Sequence, residues 1–449
     1  MTQASSLQQN QNQGQNVIVA MLFIALLFFI LGFVTWLNGS LIPFLKIVCE
    51  LTDFQALWVT FAFYIAYTVM ALPSAAVLSR IGYKNGMTAS LGVMAIGALM
   101  FIPAAKTSQY SLFLIALFTL ASGMTLMQTA INPYIVCIGS RDSAAMRISI
   151  MGLFNKGAGI IVPMVFTALI LSGITQTSGA ALAEMDVAAR TAFRADLASR
   201  LVTPYIVMAV GLILFMFIIH FSSLTEPELD DEQSNAATVS TTRFGVLQFP
   251  QLVLGAITLF AYVGVEVIAG DTIGLYGHHL GVQNYAALTS YTMGFMVLGY
   301  LLGAFTIPRF LSQRNALALC AVSGILFAFG VMYASNTEQN MSQILLAWAG
   351  VPSVPNTVLF LAMLGFSNAL VWPAVWPLAL EGLGRYTAAG SAVLIMGISG
   401  GAILPLAYGH FSDSAGAQQA YWVMLPCYAL ILFYALKGHT IRQWTSTSK

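Results

Sequence analysis

Twelve long apolar stretches limit what this chain can fold into more than any other feature of its sequence. Each is close to the roughly 20 residues that a helix needs to cross a bilayer core of about 30 Å. Membrane β-strands are only about 10 residues long, so a barrel is excluded and helices are predicted. The stretches lie at residues 17–45, 55–79, 87–104, 110–138, 148–172, 202–221, 250–276, 286–307, 316–334, 357–380, 388–409 and 419–437.

The polar segment between the sixth and seventh stretches divides the chain into equal halves. We predict an all-α integral membrane protein with twelve transmembrane helices in two six-helix bundles. The bundles span residues 17–221 and 250–437 and are joined by a cytoplasmic linker at 222–249. Residues 1–16 are predicted to be a disordered tail, and residues 438–449 a second cytoplasmic tail. Parallel halves with a site near the midplane are typical of transporters.

Lysine and arginine are distributed unevenly between the two faces that this topology defines. Eleven of the 17 fall on the face that carries the termini and the central linker, and five fall on the opposite face. The positive-inside rule therefore predicts cytoplasmic termini in a multi-pass protein of a bacterial-type inner membrane. The net charge of only +1 leaves no basic surface for nucleic acid, which is excluded as a partner.

Few polar side chains lie inside the spans, and each needs a reason because polar groups are costly in hydrocarbon. Gln128 and Asn132 are four residues apart and share one helix face. Amides beside aromatic rings suit a neutral polyhydroxylated ligand, a sugar. The alternatives are that the amides only join helices and that the tryptophans belong to an interfacial belt. The predicted substrate-binding residues are Asn38, Gln128, Asn132, Asn155, Asn368, Trp372 and Trp376.

The acids inside the predicted spans are Glu266 and Asp271, and Lys156 is a base in the middle of a span. The acids can form an ion pair that joins the two halves, or they can bind a coupling cation. Asp271 is the stronger candidate for the cation, because Gly270 and Thr272 can offer oxygen atoms beside it. Lys156 is more plausible as a pairing partner than as an anion site. No cofactor is predicted, and the sequence has no phosphate-binding loop, nucleophile elbow or HExxH motif, which argues against an enzyme.

Several motifs resemble those of a known family. PSAAVLSRIGYKNG resembles the signature of the major facilitator superfamily between its second and third helices, with Arg80, Gly82 and Lys84 matching and Ser79 in place of an acid. GFVTWLNGSLIPFL, LMQTAINPYI, RISIMGLFNKGAG, YVGVEVIAGDTI and LEGLGRYTAAGSAVLIMGISGGAILP resemble the fucose:proton symporter family, and within it the glucose/galactose transporter branch.

The resemblance implies alternating access of two bundles around one central site. It also implies that Arg80 and Lys84 act in gating, far from the sugar. The fucose symporters carry acids in helices 1 and 4, at positions that match Gly39 and Gln128. Neither residue can carry a proton near neutral pH. Coupling at Asp271, and secondarily at Glu266, is therefore predicted to use sodium rather than a proton.

We predict a monomeric secondary transporter in the lipid bilayer that imports a neutral hexose, glucose or galactose, with a cation gradient. An uncoupled uniporter, and a superfamily member for another neutral polyol or a drug, are the alternatives within transport. A sugar-sensing receptor is the alternative from another class, and it would need a cytoplasmic output domain.

Overall fold

Twelve apolar helices, each long enough to cross a membrane, dominate a computed structural model of the protein, and no β-strand occurs among the described residues. The structure describes residues 2–137, 144–171, 186–222, 224, 245–307, 310–383 and 386–444. We number the spans in chain order as α1 (Val19–Cys49), α2 (Asp53–Ile81), α3 (Tyr83–Thr107), α4 (Tyr110–Asn132), α5 (Ile150–Ile170), α6 (Val187–Phe221), α7 (Pro250–His279), α8 (Tyr285–Thr306), α9 (Gln313–Tyr333), α10 (Asn356–Leu380), α11 (Val393–Ala415) and α12 (Gln419–Leu436). The predicted fold class is confirmed.

The ends of several helices differ from the apolar stretches. The helix of α1 begins at Thr2, so residues 2–16 are helical where the sequence predicts a disordered tail. Glutamine is a good helix former, and an apolar helix that has already nucleated can propagate backwards through such residues. The start of α6 is a separate amphipathic helix, Val187–Ser199. Most of the predicted linker, residues 225–244, and the last five residues lie outside the described part of the chain.

Two groups of helices pack against each other in the described structure. In the first half α3, α4 and α6 pack together, as do α2 with α4 and α1 with α5; in the second half α7 packs with α10, α11 and α12. The halves meet where α5 contacts α8, α1 contacts α7, and α2 contacts α11. We call the face with the ends of α6 and the start of α7 the linker face, and the opposite one the far face.

Glycines of α5 and α7 let both helices approach the ring of Trp36 in α1 closely. A Cβ atom on Gly159 of α5 would lie 2.7 Å from Cδ1 of Trp36, and one on Gly270 of α7 would lie 2.6 Å from its Cζ3. Both distances are shorter than real carbon contacts, so only glycine fits at either position. The Trp36 ring is thereby held between the two halves of the molecule.

Two spans are interrupted near their middle. The helix of α1 ends at Trp36 and restarts at Asn38, and α10 ends at Asn368 and restarts at Val371. In α11 a 3-10 turn, Gly397–Ser399, separates two helical pieces. Broken helices deep in a membrane occur where the freed backbone groups face protein or a cavity, and they are common at transporter binding sites.

Candidate functional site

The two main interruptions lie beside two of the predicted substrate-binding residues. Asn38 is the first residue after the break in α1, and Asn368 is the last residue before the break in α10. Both side chains are 1% exposed. The Oδ1 atom of Asn368 accepts a hydrogen bond from the Tyr428 hydroxyl at 2.9 Å, which fixes this amide against α12.

Several buried polar atoms in these helices lack any hydrogen-bond partner among the described residues. They are Nδ2 of Asn38, Nδ2 of Asn368, Nε1 of Trp376 and both carboxylate oxygens of Asp271. Leaving a buried donor unpaired costs about 1–3 kcal/mol, and such groups are rare in native interiors. The nitrogens can donate to hydroxyl oxygens of a ligand, while the carboxylate can accept from a ligand or hold a cation.

Gln128 and Asn132 lie on one face of α4 but differ in exposure. Gln128 is half-buried and its Nε2 donates to the Tyr67 hydroxyl at 3.3 Å, whereas Asn132 is exposed. Asn132 lies one turn nearer the linker face, at the end of α4. Along α10, likewise, Asn368 is buried and Trp376, nearer the linker face, is half-buried. Side chains of α4 and α10 are therefore more exposed towards the linker face than at Asn368.

A charged cluster joins the two halves at the Trp36 ring. The Lys156 ammonium lies 4.3 Å from the centre of that ring and donates to Oε1 of Glu266 at 2.6 Å. Trp36 Nε1 donates to Oδ1 of Asn155 at 3.3 Å. Cation–π contact and ion pair together satisfy a lysine that is largely removed from solvent. Of the two predicted roles for the acids, the ion pair is the one that Glu266 fills.

Asp271 is in a different position from Glu266. It is fully buried on α7, and the Lys156 ammonium is already paired with the other acid. The oxygens expected to surround it are partly engaged: Gly270 O accepts from Thr289 Oγ1 at 2.8 Å, and Thr272 Oγ1 donates to Ile268 O at 2.6 Å. As a carbonyl inside the helix, Gly270 O also accepts from the backbone N–H four residues later, and Thr272 Oγ1 also lies 3.0 Å from the Tyr421 hydroxyl, so both oxygens have little capacity left for a cation. An isolated buried carboxylate needs a proton or a metal cation.

Gly39 has no space for the acid that the resemblance places there. A Cβ atom at this position would overlap Thr289 Oγ1 and lie 2.9 Å from Gly270 O. The departure from the fucose symporters is therefore built into the contact between α1, α7 and α8. An acid at Gly39 would require these three helices to separate.

The two predicted tryptophans lie together. The rings of Trp372 and Trp376 are 5.5 Å apart, and Tyr262 of α7 lies 6.3 Å from Trp372. Tyr262 is one helical turn from Glu266, so this aromatic group adjoins the charged cluster. Flat apolar faces beside polar groups suit the C–H faces of a sugar ring.

The two basic residues predicted to act in gating lie at the linker face, remote from this interior. Arg80 is exposed, and Lys84 Nζ donates to Ser222 O at 2.6 Å, which ties the start of α3 to the end of α6.

Two residues that make contacts between helices, Tyr67 and His279, could not be picked out from the sequence. Tyr67, the partner of Gln128, is one of 17 tyrosines and nothing in its neighbours distinguishes it. His279 looks like a solvated residue at a helix end, yet its Nε2 donates to Oδ2 of Asp53 at 2.8 Å. Each contact joins residues that are far apart in the sequence, so local sequence patterns cannot predict it.

This constellation defines a membrane transporter rather than an enzyme, and comparison with known proteins agrees. The model of the Major Facilitator Superfamily matches residues 24–405, and the chain belongs to that family. It is similar to the glucose/galactose transporter branch related to the fucose:proton symporters, as the sequence motifs predict.

Individual relatives support the same family assignment. A glucose/galactose transporter of Brucella abortus is 33% identical over 429 residues, covering 94% of this chain and 95% of the relative. The L-fucose-proton symporter of Escherichia coli is 26% identical over 95% of this chain and 94% of the relative. Its structure in the outward conformation shares the fold, with a TM-score of 0.68, 24% identity and coverage of 93% of this chain and 98% of that chain.

Proposed function

We propose that the protein imports a neutral hexose, glucose or galactose, by alternating access coupled to a cation gradient across a bacterial-type inner membrane. The observation that carries this proposal is the set of buried, unpartnered polar atoms at the broken helices. Asn38, Asn368 and Trp376 offer donors for sugar hydroxyls, and Asp271 offers a carboxylate for the cation. The names of the glucose/galactose transporters support the choice of hexose.

The orientation of the protein in the membrane is assigned from the distribution of its basic residues. Most basic residues lie on the linker face, so we assign this face to the cytoplasm. Contacts between α2 and α11 join the two halves at the far face, so the arrangement corresponds to a state that is closed towards the outside. Both bundles that enclose the interior come from one chain, so a monomer is sufficient for transport.

Sodium is the coupling ion that we propose, at Asp271. A hard cation takes oxygen ligands, and a carboxylate with nearby backbone carbonyls and hydroxyls supplies them without a change in protonation. The proton is the second candidate, and two observations favour it. The oxygens of Gly270 and Thr272 already have hydrogen-bond partners, and relatives from Escherichia coli and Haemophilus influenzae are named proton symporters.

Replacement of Gln128 with alanine is expected to weaken hexose binding about tenfold to a hundredfold. The loss corresponds to about 1–3 kcal/mol of hydrogen bonding between the amide and the sugar. Tryptophan fluorescence titration of the purified protein with glucose measures the affinity. Thr129→Val is the matched control, because the Thr129 hydroxyl bonds only its own helix at Thr125 O. Unchanged glucose affinity in Gln128→Ala would move the sugar site away from α4.

Neutralisation of Arg80 is expected to slow transport while equilibrium sugar binding stays within a few-fold of the parent. Arg80 is exposed at the linker face, where it can influence the balance between conformations but cannot touch a buried sugar. Initial uptake rates and glucose titrations on Arg80→Gln measure the two quantities separately. A large loss of affinity in correctly folded protein would contradict a role in gating.

A further inference from the structure

The far face of the molecule is closed by contacts that converge on one carboxylate. Asp53, the first residue of α2, is 3% exposed. It accepts hydrogen bonds from Lys46 Nζ of α1, from His279 Nε2 of α7 and from Ser412 Oγ of α11. Lys46 belongs to the same half as Asp53, whereas His279 and Ser412 belong to the other half.

A second carboxylate reinforces the same junction from the opposite side. Asp413 of α11 accepts from the backbone N–H of Asp53 at 2.9 Å and of Phe54 at 3.1 Å. These are the orphan donors at the start of α2, where a helix N-terminus favours a negative charge. A Cβ atom on Gly409 would lie 2.9 Å from Cα of Phe54, so backbone meets backbone here.

These contacts can form in only one arrangement of the two halves. Charge-assisted hydrogen bonds are short-ranged and directional, and they are lost once their partners separate by a few ångströms. Alternating access requires α2 and α11 to separate at this face when the interior opens to the other side. Opening would leave Asp53 with Lys46 alone.

We propose that Asp53 is the latch of the far face, holding the two halves together through His279 and Ser412 and so setting the balance between the inward-open and outward-open states. Asp413 acts with it by binding the start of α2. The proposal uses alternating access, which the proposed function includes, but it depends neither on the identity of the sugar nor on that of the coupling ion.

The test measures the separation of the two halves directly. Spin labels on cysteines placed at Gln109 and Asn336 report the distance across the far face by pulsed electron resonance. The native cysteines are replaced, and the protein is reconstituted in lipid without sugar. Both positions are exposed, and they lie at far-face ends in opposite halves. Asp53→Asn is expected to raise the ratio of long to short distances roughly tenfold.

Two further variants keep the test decisive. His279→Ala removes one inter-half donor to Asp53 while every residue of α2 stays unchanged, and it is expected to give a smaller shift in the same direction. Glu50→Gln is the matched control, because this neighbouring carboxylate pairs with Arg194 inside the first half. Short distances retained in both His279→Ala and any folded Asp53→Asn would overturn the latch, as would equal opening in Glu50→Gln. Since no sugar is added, failure here is distinguishable from failure of the hexose proposal.

Discussion

Replacement of Asp271 with asparagine is expected to abolish cation-driven accumulation of hexose while sparing sugar exchange. The carboxylate is fully buried and unpartnered among the described residues, so an ion bound there is held mainly by its charge. Asparagine keeps the shape and one oxygen but can neither neutralise sodium nor carry a proton. Transport should then become an equilibrium process that follows the sugar gradient alone.

Proteoliposomes measure the two activities side by side. Accumulation of labelled glucose against its gradient should disappear in Asp271→Asn, while exchange of internal for external glucose should persist at a substantial rate. Asp196→Asn, an exposed acid that pairs with Arg200 one turn away, should behave as the parent. Accumulation at the parental level in Asp271→Asn would remove this residue from the coupling mechanism, and an uncoupled parent would favour a uniporter.

The second large effect is expected from breaking the ion pair between Lys156 and Glu266. Glu266→Gln leaves the Lys156 ammonium without its counter-charge in a largely dry interior, which costs about 3–5 kcal/mol. We expect a marked fall in thermal stability and in the yield of folded protein. In the fraction that folds, cation-driven uptake should be reduced, though less completely than in Asp271→Asn.

A double substitution distinguishes the stability lost with the ion-pair contact from the free-energy cost of leaving one buried charge unpaired. Lys156→Met combined with Glu266→Gln removes both charges, so it should recover much of the stability that Glu266→Gln loses. Thermal unfolding of the three proteins in detergent gives the comparison. A Glu266→Gln protein as stable as the parent, or a double variant no better than the single one, would contradict a buried pair.

The fold could be predicted because the number of spans is a property of the chain alone. Length and hydropathy define twelve helices, and no long-range information is needed. The pairing of Lys156 was also within reach, since the predicted spans hold only two acids that it could pair with. The sequence could not predict which of the two acids, Glu266 or Asp271, pairs with Lys156. That choice depends on the rotation of α7 against α5, which places Glu266 towards Lys156 and leaves Asp271 apart.

Other features depend on how the halves meet. His279 looks solvated in the sequence and becomes a partner of Asp53 only when α7 and α2 come together at the far face. The break in α10 does have a local signal, because Pro373 cannot donate to the carbonyl of Ala369 at the break. In α1, Pro43 likewise leaves the carbonyl of Gly39, close to the break after Trp36, without its helical donor. Gly39 is understood only once Thr289 and Gly270 are seen to fill the space beside it.

Uptake of labelled hexoses into liposomes that contain the purified protein, with sodium and proton gradients imposed separately, tests the central claim most directly. We expect glucose and galactose to accumulate against their gradients when sodium is higher outside, and not in Asp271→Asn. Accumulation driven by a pH gradient in sodium-free buffer would assign the coupling to a proton at the same carboxylate if Asp271→Asn abolished it. If neither gradient drove accumulation of any hexose, cation-coupled sugar import would be contradicted.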